Sequence, residues 1–360
     1  MISIHSSDLV RALRRVVPVM PSRGGIPIHS CVRIQAAEGG VLFAATDGIR
    51  AVRTIVAGEA GETVAVPGAT LAKIASTLPA GPVTLTPSKG RVEIKAGRAR
   101  FVVPAFDAAD LPPLHADAGE ALLEVHHEQL GAAIAAVRHA VSDDASRPSL
   151  SGMLLEARAD TMHAVATDGH RLALHTSEHK AAVHGCAVLV PGLALPLVAA
   201  LCAELHGESV TIARDQGYVL ASAGSTTIAV RDVEASFPPY KKIIPAEDRR
   251  GTRATGDRKA LLDAVARVSI ATSSTSGVRL EITADAVTLG AASPDVGDAS
   301  DSVAAEVDGK PAKVALAAQY LADALRAGGA VEASISLAGE LDPVVVDAGD
   351  TLSVIMPMRG

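Results

Sequence analysis

The segment ATDGHRLAL, residues 166–174, places a threonine, an acid, a histidine and an arginine within five consecutive positions. Such a group could form a catalytic site, bind a metal ion or build a tight turn. Nearly the same string, ATDGIRAV, occurs at residues 45–52 with isoleucine in place of the histidine. The sequence therefore raises the question of which part of the motif is structural and which part serves a function.

No catalytic signature accompanies these residues. The sequence contains no GxSxG, HExxH or GxxxxGK[ST] motif and no glycine-rich dinucleotide loop. The candidates for a hydrolase or metalloenzyme site are Asp168, His170, His126, His127, Asp143 and Asp144. Because the 12 histidines are scattered along the chain, we predict that the protein is not an enzyme and has no catalytic residues, no metal site and no cofactor.

Composition limits the class of protein. A chain of 360 residues suits two or three domains, and its 48% hydrophobic and 20% charged residues are typical of a soluble protein. No apolar run approaches the roughly 18 residues of a membrane helix, and no secretory signal begins the chain, so we expect a cytoplasmic protein. The widely spaced Cys31, Cys186 and Cys202 are expected to be core thiols. The net charge of −7 disfavours nucleic acid as a partner only if the charges are evenly distributed.

Internal repeats divide the chain. TDG at residues 46–48 recurs at 167–169, VPG at 66–68 recurs at 190–192, and SGVRLEI at 276–282 matches both SCVRIQA at 30–36 and SGMLLEA at 151–157. These matches predict three tandem domains, I at 1–118, II at 119–248 and III at 249–360.

Each domain combines two amphipathic helices with short alternating strands separated by glycine and proline turns. We predict an α+β fold in which three copies of one domain each pack two helices on antiparallel sheets. Side-by-side units leave a free sheet edge at both ends of the array, which favours head-to-tail association and closure into a ring.

Three motifs resemble one known family. TDGHRLAL at 167–174, FPPYKKIIP at 237–245 and VIMPMRG at 354–360 are similar to the bacterial sliding clamp, the DNA polymerase III beta subunit, and the resemblance covers the whole chain. It implies a processivity factor for DNA replication whose head-to-tail homodimer ring encircles double-stranded DNA. The implied partners are a clamp loader, the replicative DNA polymerase and other proteins with a clamp-binding motif.

In this family, partner peptides dock in a hydrophobic groove between domains II and III. Carried over to matching positions, the peptide-binding groove comprises Leu150, Thr167, Gly169, His170, Arg171, Leu172, Pro238, Lys242, Ile243, Tyr320, Pro343, Val344, Val354, Met356, Pro357, Met358 and Arg359. Domain I keeps the turn without the groove, so we predict that the repeated TDG is structural and that the His170–Arg171 pair is functional.

Cations at helical positions predict a surface for the DNA backbone. The DNA-facing candidates on the helices are Arg11, Arg14, Arg15, Lys73, Arg138, Arg258, Lys259, Arg267 and Arg326, and the resemblance adds Arg23 and Arg147 in loops. Phosphate contacts carry no sequence information, and only 2% of the residues are aromatic, so binding is expected to be independent of DNA sequence.

The resemblance also implies a dimer interface between domain I of one protomer and domain III of the next. Its candidates are Arg91, Arg98, Arg100, Phe101, Ile270, Asp295, Asp298 and Asp301.

Three positions depart from the usual pattern of the groove. Lys242 replaces a common arginine, Thr275 replaces a bulky apolar residue, and the chain ends at Gly360. We hypothesise a divergent or second clamp of its organism; the alternative is a symmetric interaction scaffold that is not the main replication clamp.

Overall fold

The computed structural model describes residues 1–21, 27–112, 119–158, 160–178, 185–272 and 277–358. Spatial contacts divide the chain into two compact units: a first unit of Met1–Gly131 with Leu193–Asp232, and a second unit of Ala132–Gly192 with Val233–Gly360. The α-helices in the described ranges are α1 (Ser6–Val16), α2 (Gly68–Ala75), α3 (His127–Val137), α4 (Leu195–Glu204), α5 (Arg258–Val268) and α6 (Ala318–Ala327).

Apolar periodicity and capping explain why these segments are helical. In α1, Leu9, Leu13 and Val16 are buried, and the imidazole of His5 accepts a hydrogen bond from the backbone N–H of Ser7 at the N-terminus. In α5, the carboxylate of Asp257 accepts from the backbone N–H of Ala260. The prediction of amphipathic helices is therefore confirmed for both segments.

Short 3₁₀ turns extend or connect these helices and the strands. They are Val17–Val19, Pro27–Ser30, Ala108–Asp110, Arg138–Ala140, Pro148–Leu150, Gly192–Ala194, Tyr240–Lys242, Glu247–Arg249 and Ser269–Ala271.

The first unit contains two antiparallel sheets. The five-stranded sheet has the spatial order Gly58–Ala60, Ile2–His5, Pro82–Ser88, Arg91–Ala96 and Ala99–Pro104. The eight-stranded sheet has the order Glu120–His126, Ser209–Asp215, Tyr218–Ala223, Thr226–Arg231, Arg50–Val56, Gly40–Thr46, Cys31–Ala37 and Val64–Pro67. Cys31 and Cys202 are buried in this unit, and burial raises the pKa of each thiol to about 11.

The second unit also contains two antiparallel sheets. The nine-stranded sheet has the order Ala187–Pro191, Gly152–Ala157, Thr161–Thr167, Arg171–Glu178, Thr351–Ile355, Val344–Asp347, Glu332–Leu337, Thr252–Asp257 and Glu306–Asp308. The four-stranded sheet has the order Gly297–Ala304, Ala286–Ser293, Val278–Ile282 and Ala312–Leu316. A large apolar core packs Leu261, Val265, Leu321 and Leu325 of α5 and α6 against both sheets.

The long sheets explain why the division by contacts gives two units where the repeats predict three domains. Thr226–Arg231 pairs with Arg50–Val56, which joins strands of the predicted domains I and II. Arg171–Glu178 pairs with Thr351–Ile355, which joins strands of the predicted domains II and III. The ladders therefore cross the predicted boundaries at 118 and 248, and those boundaries remain predictions.

Within the ranges described above, no helix has the length and apolar character needed to span a bilayer.

Candidate functional site

The second copy of the motif folds into a closed turn. Thr167 donates its hydroxyl hydrogen to the carbonyl of Arg171 at 2.7 Å, and Gly169 has a φ of 91°. One carboxylate oxygen of Asp168 accepts from the backbone N–H groups of His170 and Arg171, both at 2.9 Å. Its other oxygen accepts from Nε of Arg171 at 3.0 Å. The threonine, aspartate, glycine and arginine that recur in the two strings therefore all take part in the turn.

The first copy makes the same turn. Thr46 donates to the carbonyl of Arg50 at 2.7 Å, and Gly48 has a φ of 89°. The carboxylate of Asp47 accepts from the backbone N–H groups of Ile49 and Arg50 and from Nε of Arg50. The prediction that the repeated TDG is structural is confirmed by these matching bonds.

The glycines of the two turns give a direct stability prediction. Because both have positive φ, Gly48→Ala and Gly169→Ala are each expected to lower the free energy of unfolding by about 1–2 kcal/mol. Urea unfolding measures this loss. The matched control is Gly290→Ala, whose new methyl would meet nothing closer than 3.9 Å and should be neutral; equal losses for all three would contradict the account.

The arginine of the second turn makes contacts beyond the turn. Nη1 of Arg171 forms an ion pair with Asp323 of α6 at 2.7 Å, and Nη2 donates to the carbonyl of His139. Its guanidinium carbon lies 4.3 Å from the centroid of the Tyr320 ring. The side chain is only 14% exposed, and that of Asp323 is 12% exposed. Arg171 therefore links α6 to the TDG turn, because it bonds Asp323 and Asp168 at the same time.

The arginine of the first turn makes a similar set of contacts. Arg50 also pairs with the acid of its own turn, at 2.7 Å, and reaches the carbonyl of Val19 at 3.5 Å. The arginine thus has a structural role in both copies, whereas His170, whose side chain is exposed, has Ile49 at the equivalent position. The functional role of the His170–Arg171 pair stays a prediction.

His139, whose backbone carbonyl accepts from Arg171, is half-buried beside charges of both signs. Burial is the main cause that lowers the pKa of His139 to about 4; the charges of Arg171 and Arg326 lower it further, while Asp323 and Asp168 oppose the shift. Between about pH 6.5 and pH 4, the unfolded chain therefore binds a proton that the folded chain excludes.

This pKa predicts the direction of a pH effect. The free energy of unfolding should fall as the pH is lowered through that window, by at most about 3 kcal/mol from His139. His139→Gln removes the titration, so its urea unfolding should depend less on pH between 7 and about 4.5. An unchanged pH dependence in the variant would show that folding does not lower the pKa of His139.

Several predicted groove residues form the core beneath the surface. Leu172 lies opposite Val354 in adjacent strands, and both pack with Val165 and Tyr240 in one apolar cluster. The predicted groove residues with side chains at most 4% exposed are Thr167, Leu172, Val344 and Val354. The resemblance did not distinguish these supporting residues from those that a ligand could touch.

The remaining groove residues are exposed or half-buried. They are Leu150, Gly169, His170, Arg171, Pro238, Lys242, Ile243, Tyr320, Pro343, Met356, Pro357 and Met358. The backbone N–H of Met356 donates to the carbonyl of His170 at 2.9 Å, which brings the C-terminal segment beside the turn. Ile243 and Met356 keep 40% and 41% of their surface exposed, unusual for large apolar side chains. Arg359 lies outside the described residues, as does Thr275.

The FPPYKKIIP segment is anchored by residues that sequence reasoning missed. The hydroxyl of Tyr240 donates to Glu156 at 2.7 Å and lies 3.0 Å from Nδ1 of His163. Burial, together with the hydrogen bond to Glu156, raises the pKa of Tyr240. Lys241 lies 3.4 Å from the same carboxylate. The only sequence signal for this anchor is the tyrosine within the motif itself.

The predicted DNA-facing cations fall into two groups. Those with a carboxylate partner are Arg11, Arg15, Arg147, Lys259, Arg267 and Arg326. Arg258 instead donates to the carbonyls of Ala330 and Leu325, at 2.6 and 2.9 Å. Arg14, Lys73 and Arg138 are exposed and make no ion pair with any residue that the structure describes. Arg23 lies outside the described residues.

Most candidate dimer residues lie on or next to outer strands. Arg100 and Phe101 belong to Ala99–Pro104, the last strand of the five-stranded sheet, and Asp298 and Asp301 belong to Gly297–Ala304, the first strand of the four-stranded sheet. The remaining candidates, all exposed, are Arg91, Arg98, Ile270 and Asp295. Arg267 pairs with Asp301 at 2.6 Å, so a predicted DNA-facing cation and a predicted dimer acid are direct neighbours.

No group of three or more histidine, cysteine or acidic side chains arranged to hold a metal ion occurs in the described part of the chain.

Comparison with known proteins covers almost the whole chain. Three sequence families match in order: the N-terminal, central and C-terminal domains of the DNA polymerase III beta subunit, over residues 1–115, 124–239 and 241–359. The beta sliding clamp of Pseudomonas aeruginosa is 28% identical over 367 residues, and that of Caulobacter vibrioides is 29% identical over 379 residues; each alignment spans 99% of both chains.

Solved structures agree with the sequence families. The DNA polymerase III beta subunit of Pseudomonas aeruginosa matches this chain with a TM-score of 0.91 at 26% identity, over 100% of both chains. A structure of the same organism's sliding clamp bound to griselimycin matches with a TM-score of 0.90 at 26% identity, over 99% of both chains. On these matches, the chain consists of three tandem clamp domains and belongs to the DNA polymerase III beta subunit family.

Proposed function

We propose that this chain is a DNA sliding clamp, a processivity factor that encircles duplex DNA and tethers the replicative polymerase. The observation that carries the proposal is the match of all three domains, in order, to clamps named as such in other bacteria. In this proposal the protein encircles DNA and binds its partners, and those partners catalyse the reactions of replication.

Ring closure would use the two outer strands. Ala99–Pro104 and Gly297–Ala304 each have hydrogen-bonding partners on one side only within their sheets. Arg98 and Arg100 lie beside or on the first strand, and Asp298 and Asp301 lie on the second. Arg100 is paired with Glu93 and Asp301 with Arg267, which leaves Arg98 and Asp298 as exposed residues of opposite charge at the two edges. Pairing the first strand of one protomer with the second strand of the next would continue a sheet and set the register. We propose a head-to-tail homodimer on this basis.

The DNA contacts would come from helix cations. Arg14, Lys73 and Arg138 are exposed and keep their donors free of the described carboxylates, which suits them to contact phosphates. Such contacts are weak individually, fall with salt and do not distinguish sequences. These properties allow a ring to slide while its topology, and not its affinity, keeps it on DNA.

Partner peptides would dock on the exposed members of the groove. Ile243 and Met356 offer apolar area, His170 offers a polar ring, and Met358 adapts its shape readily. Two or three buried apolar anchors contribute about 3–9 kcal/mol before the cost of ordering the peptide, so the dissociation constant is expected to be micromolar or weaker. Weak binding lets the polymerase and other partners exchange.

Primer extension tests the proposal. A bacterial clamp loader and polymerase are supplied with a primed single-stranded circle and excess trap DNA, with and without this protein. The proposed function predicts products many times longer when the protein and ATP are both present. Products of equal length would instead favour an interaction scaffold without a role in replication.

A further inference from the structure

The first unit contains a cavity that shares no residue with the candidate groove. It has a volume of about 300 Å³ and lies between α1, α4 and the eight-stranded sheet. Its apolar wall includes Val52 and Ile228 from the sheet, Leu197 and Leu201 from α4, and Pro18 after α1. A volume of this size is at the lower end of those that hold small organic ligands.

The cavity also has a cationic side. Arg14, Arg15 and Arg50 line it, and Glu204 is the one carboxylate among its described lining residues. Arg15 pairs with Glu204 and Arg50 pairs with Asp47. Arg14 therefore contributes a positive charge without a described ion-pair partner, which favours an anionic occupant over a cationic one.

The arginines differ in how many donors they retain. Arg15 is held in place, because its Nε donates to Glu204 and its Nη1 donates to Thr226, both at 2.8 Å, while its Nη2 donates to no described residue. Its side chain is only 16% exposed. Arg14 is exposed and forms no ion pair within the described ranges. A held donor, Nη2 of Arg15, and an exposed cation without a described ion-pair partner, Arg14, thus line the same cavity.

We infer that this cavity binds a small amphipathic organic anion. An aromatic or short aliphatic body fills the space between α4 and the sheet, and a carboxylate or phosphate monoester accepts hydrogen bonds from Arg14 and from Nη2 of Arg15. A bare phosphate would leave the apolar wall in contact with water, and an uncharged hydrocarbon would leave the guanidinium groups unused. The two features together define the class of ligand.

The probe is 2-naphthoate, with 2-naphthamide as an uncharged analogue of nearly the same shape. Titration of the full-length protein, followed by ligand-observed NMR, should give saturable binding of the acid with a dissociation constant on the order of 0.1–1 mM. The amide should bind at least about tenfold more weakly, since it lacks the charge-assisted hydrogen bonds.

Three variants locate the site. Arg14→Ala should weaken binding of the acid about tenfold without affecting the amide, and Ala200→Trp, at a lining position on α4, should abolish binding of both. The matched control is Lys73→Ala, which removes an exposed helix cation that does not line the cavity and should change neither.

The inference would be overturned by any of three results: no saturable binding up to about 5 mM, equal affinity for acid and amide, or equal effects of Arg14→Ala and Lys73→Ala. Binding that survives Ala200→Trp would also overturn it, because the ligand would then lie elsewhere. None of these outcomes depends on whether the protein acts as a clamp.

Discussion

Replacing Arg171 by alanine is expected to lower the free energy of unfolding of the second unit by about 2 kcal/mol. The substitution leaves Asp323, whose side chain is 12% exposed, without its 2.7 Å ion pair, and it removes the donor to the carbonyl of His139 and the stacking on Tyr320. Asp323 keeps Arg326 and Gln319 as partners of its Oδ1, but its Oδ2 and the carbonyl of His139 lose a charged donor in a site that is largely shielded from water. Urea unfolding followed by circular dichroism measures the loss.

The control for this prediction is Arg147→Ala. Arg147 also forms an ion pair with an acid three residues away, but its side chain is 47% exposed and that of Asp144 is 41% exposed. An exposed pair of this kind contributes at most about 1 kcal/mol. Similar losses for the two variants would mean that the contacts of Arg171 are no more than surface contacts and that α6 is held by its apolar face alone.

Placing a charge in the groove is expected to disrupt partner binding. In Met356→Asp, an apolar anchor of the peptide would bury against a carboxylate, losing roughly 1.5–3 kcal/mol of burial, which corresponds to about 10–100-fold weaker binding. Fluorescence anisotropy with a labelled polymerase peptide measures the affinity, and the length of polymerase products should decrease in parallel.

Val331→Asp is the matched control, because Val331 is an apolar residue with 79% of its surface exposed and no place among the groove residues. It should bind the peptide as the unaltered protein does. If both variants lose affinity equally, added negative charge and not the groove is responsible. If neither loses affinity, the peptide does not contact Met356 and the proposed groove is wrong at this position.

The parts of the fold that depend on local pattern were predictable. Apolar periodicity predicted amphipathic helices, such as the one in which Leu9, Leu13 and Val16 are buried, and the duplicated strings predicted a structural turn whose hydrogen bonds repeat in both copies. Both features arise within a few residues of the chain. Periodicity and turn chemistry therefore carry the necessary information.

The parts that depend on distant partners were not predictable from pattern. Nothing near Arg171 in the sequence indicates that Asp323, 152 residues further along the chain, is its partner. Helical spacing likewise could not show that Arg258 binds backbone carbonyls, or that Arg267 pairs with Asp301 on a strand. These pairings depend on tertiary packing, which brings together residues that no local signal connects.

The exposure of individual groove residues was also not predictable from the sequence. The resemblance assigned Leu172 and Val354 to the groove together with Met356, although the first two are at most 2% exposed and the third is 41% exposed. Alternate residues of a strand point to opposite faces, but both faces of a strand inside the nine-stranded sheet can be covered. Only the structure therefore distinguishes the groove residues that a ligand could contact from those that support them.

The most direct test of the central claim is retention on DNA of different topology. The protein is loaded onto nicked circular duplex with a bacterial clamp loader and ATP, separated from free protein by gel filtration, and the circle is then cut once. A sliding clamp should remain on the intact circles and leave the linear product within minutes. Equal retention on circular and linear DNA would contradict encirclement and would mean that the protein holds DNA by contact alone.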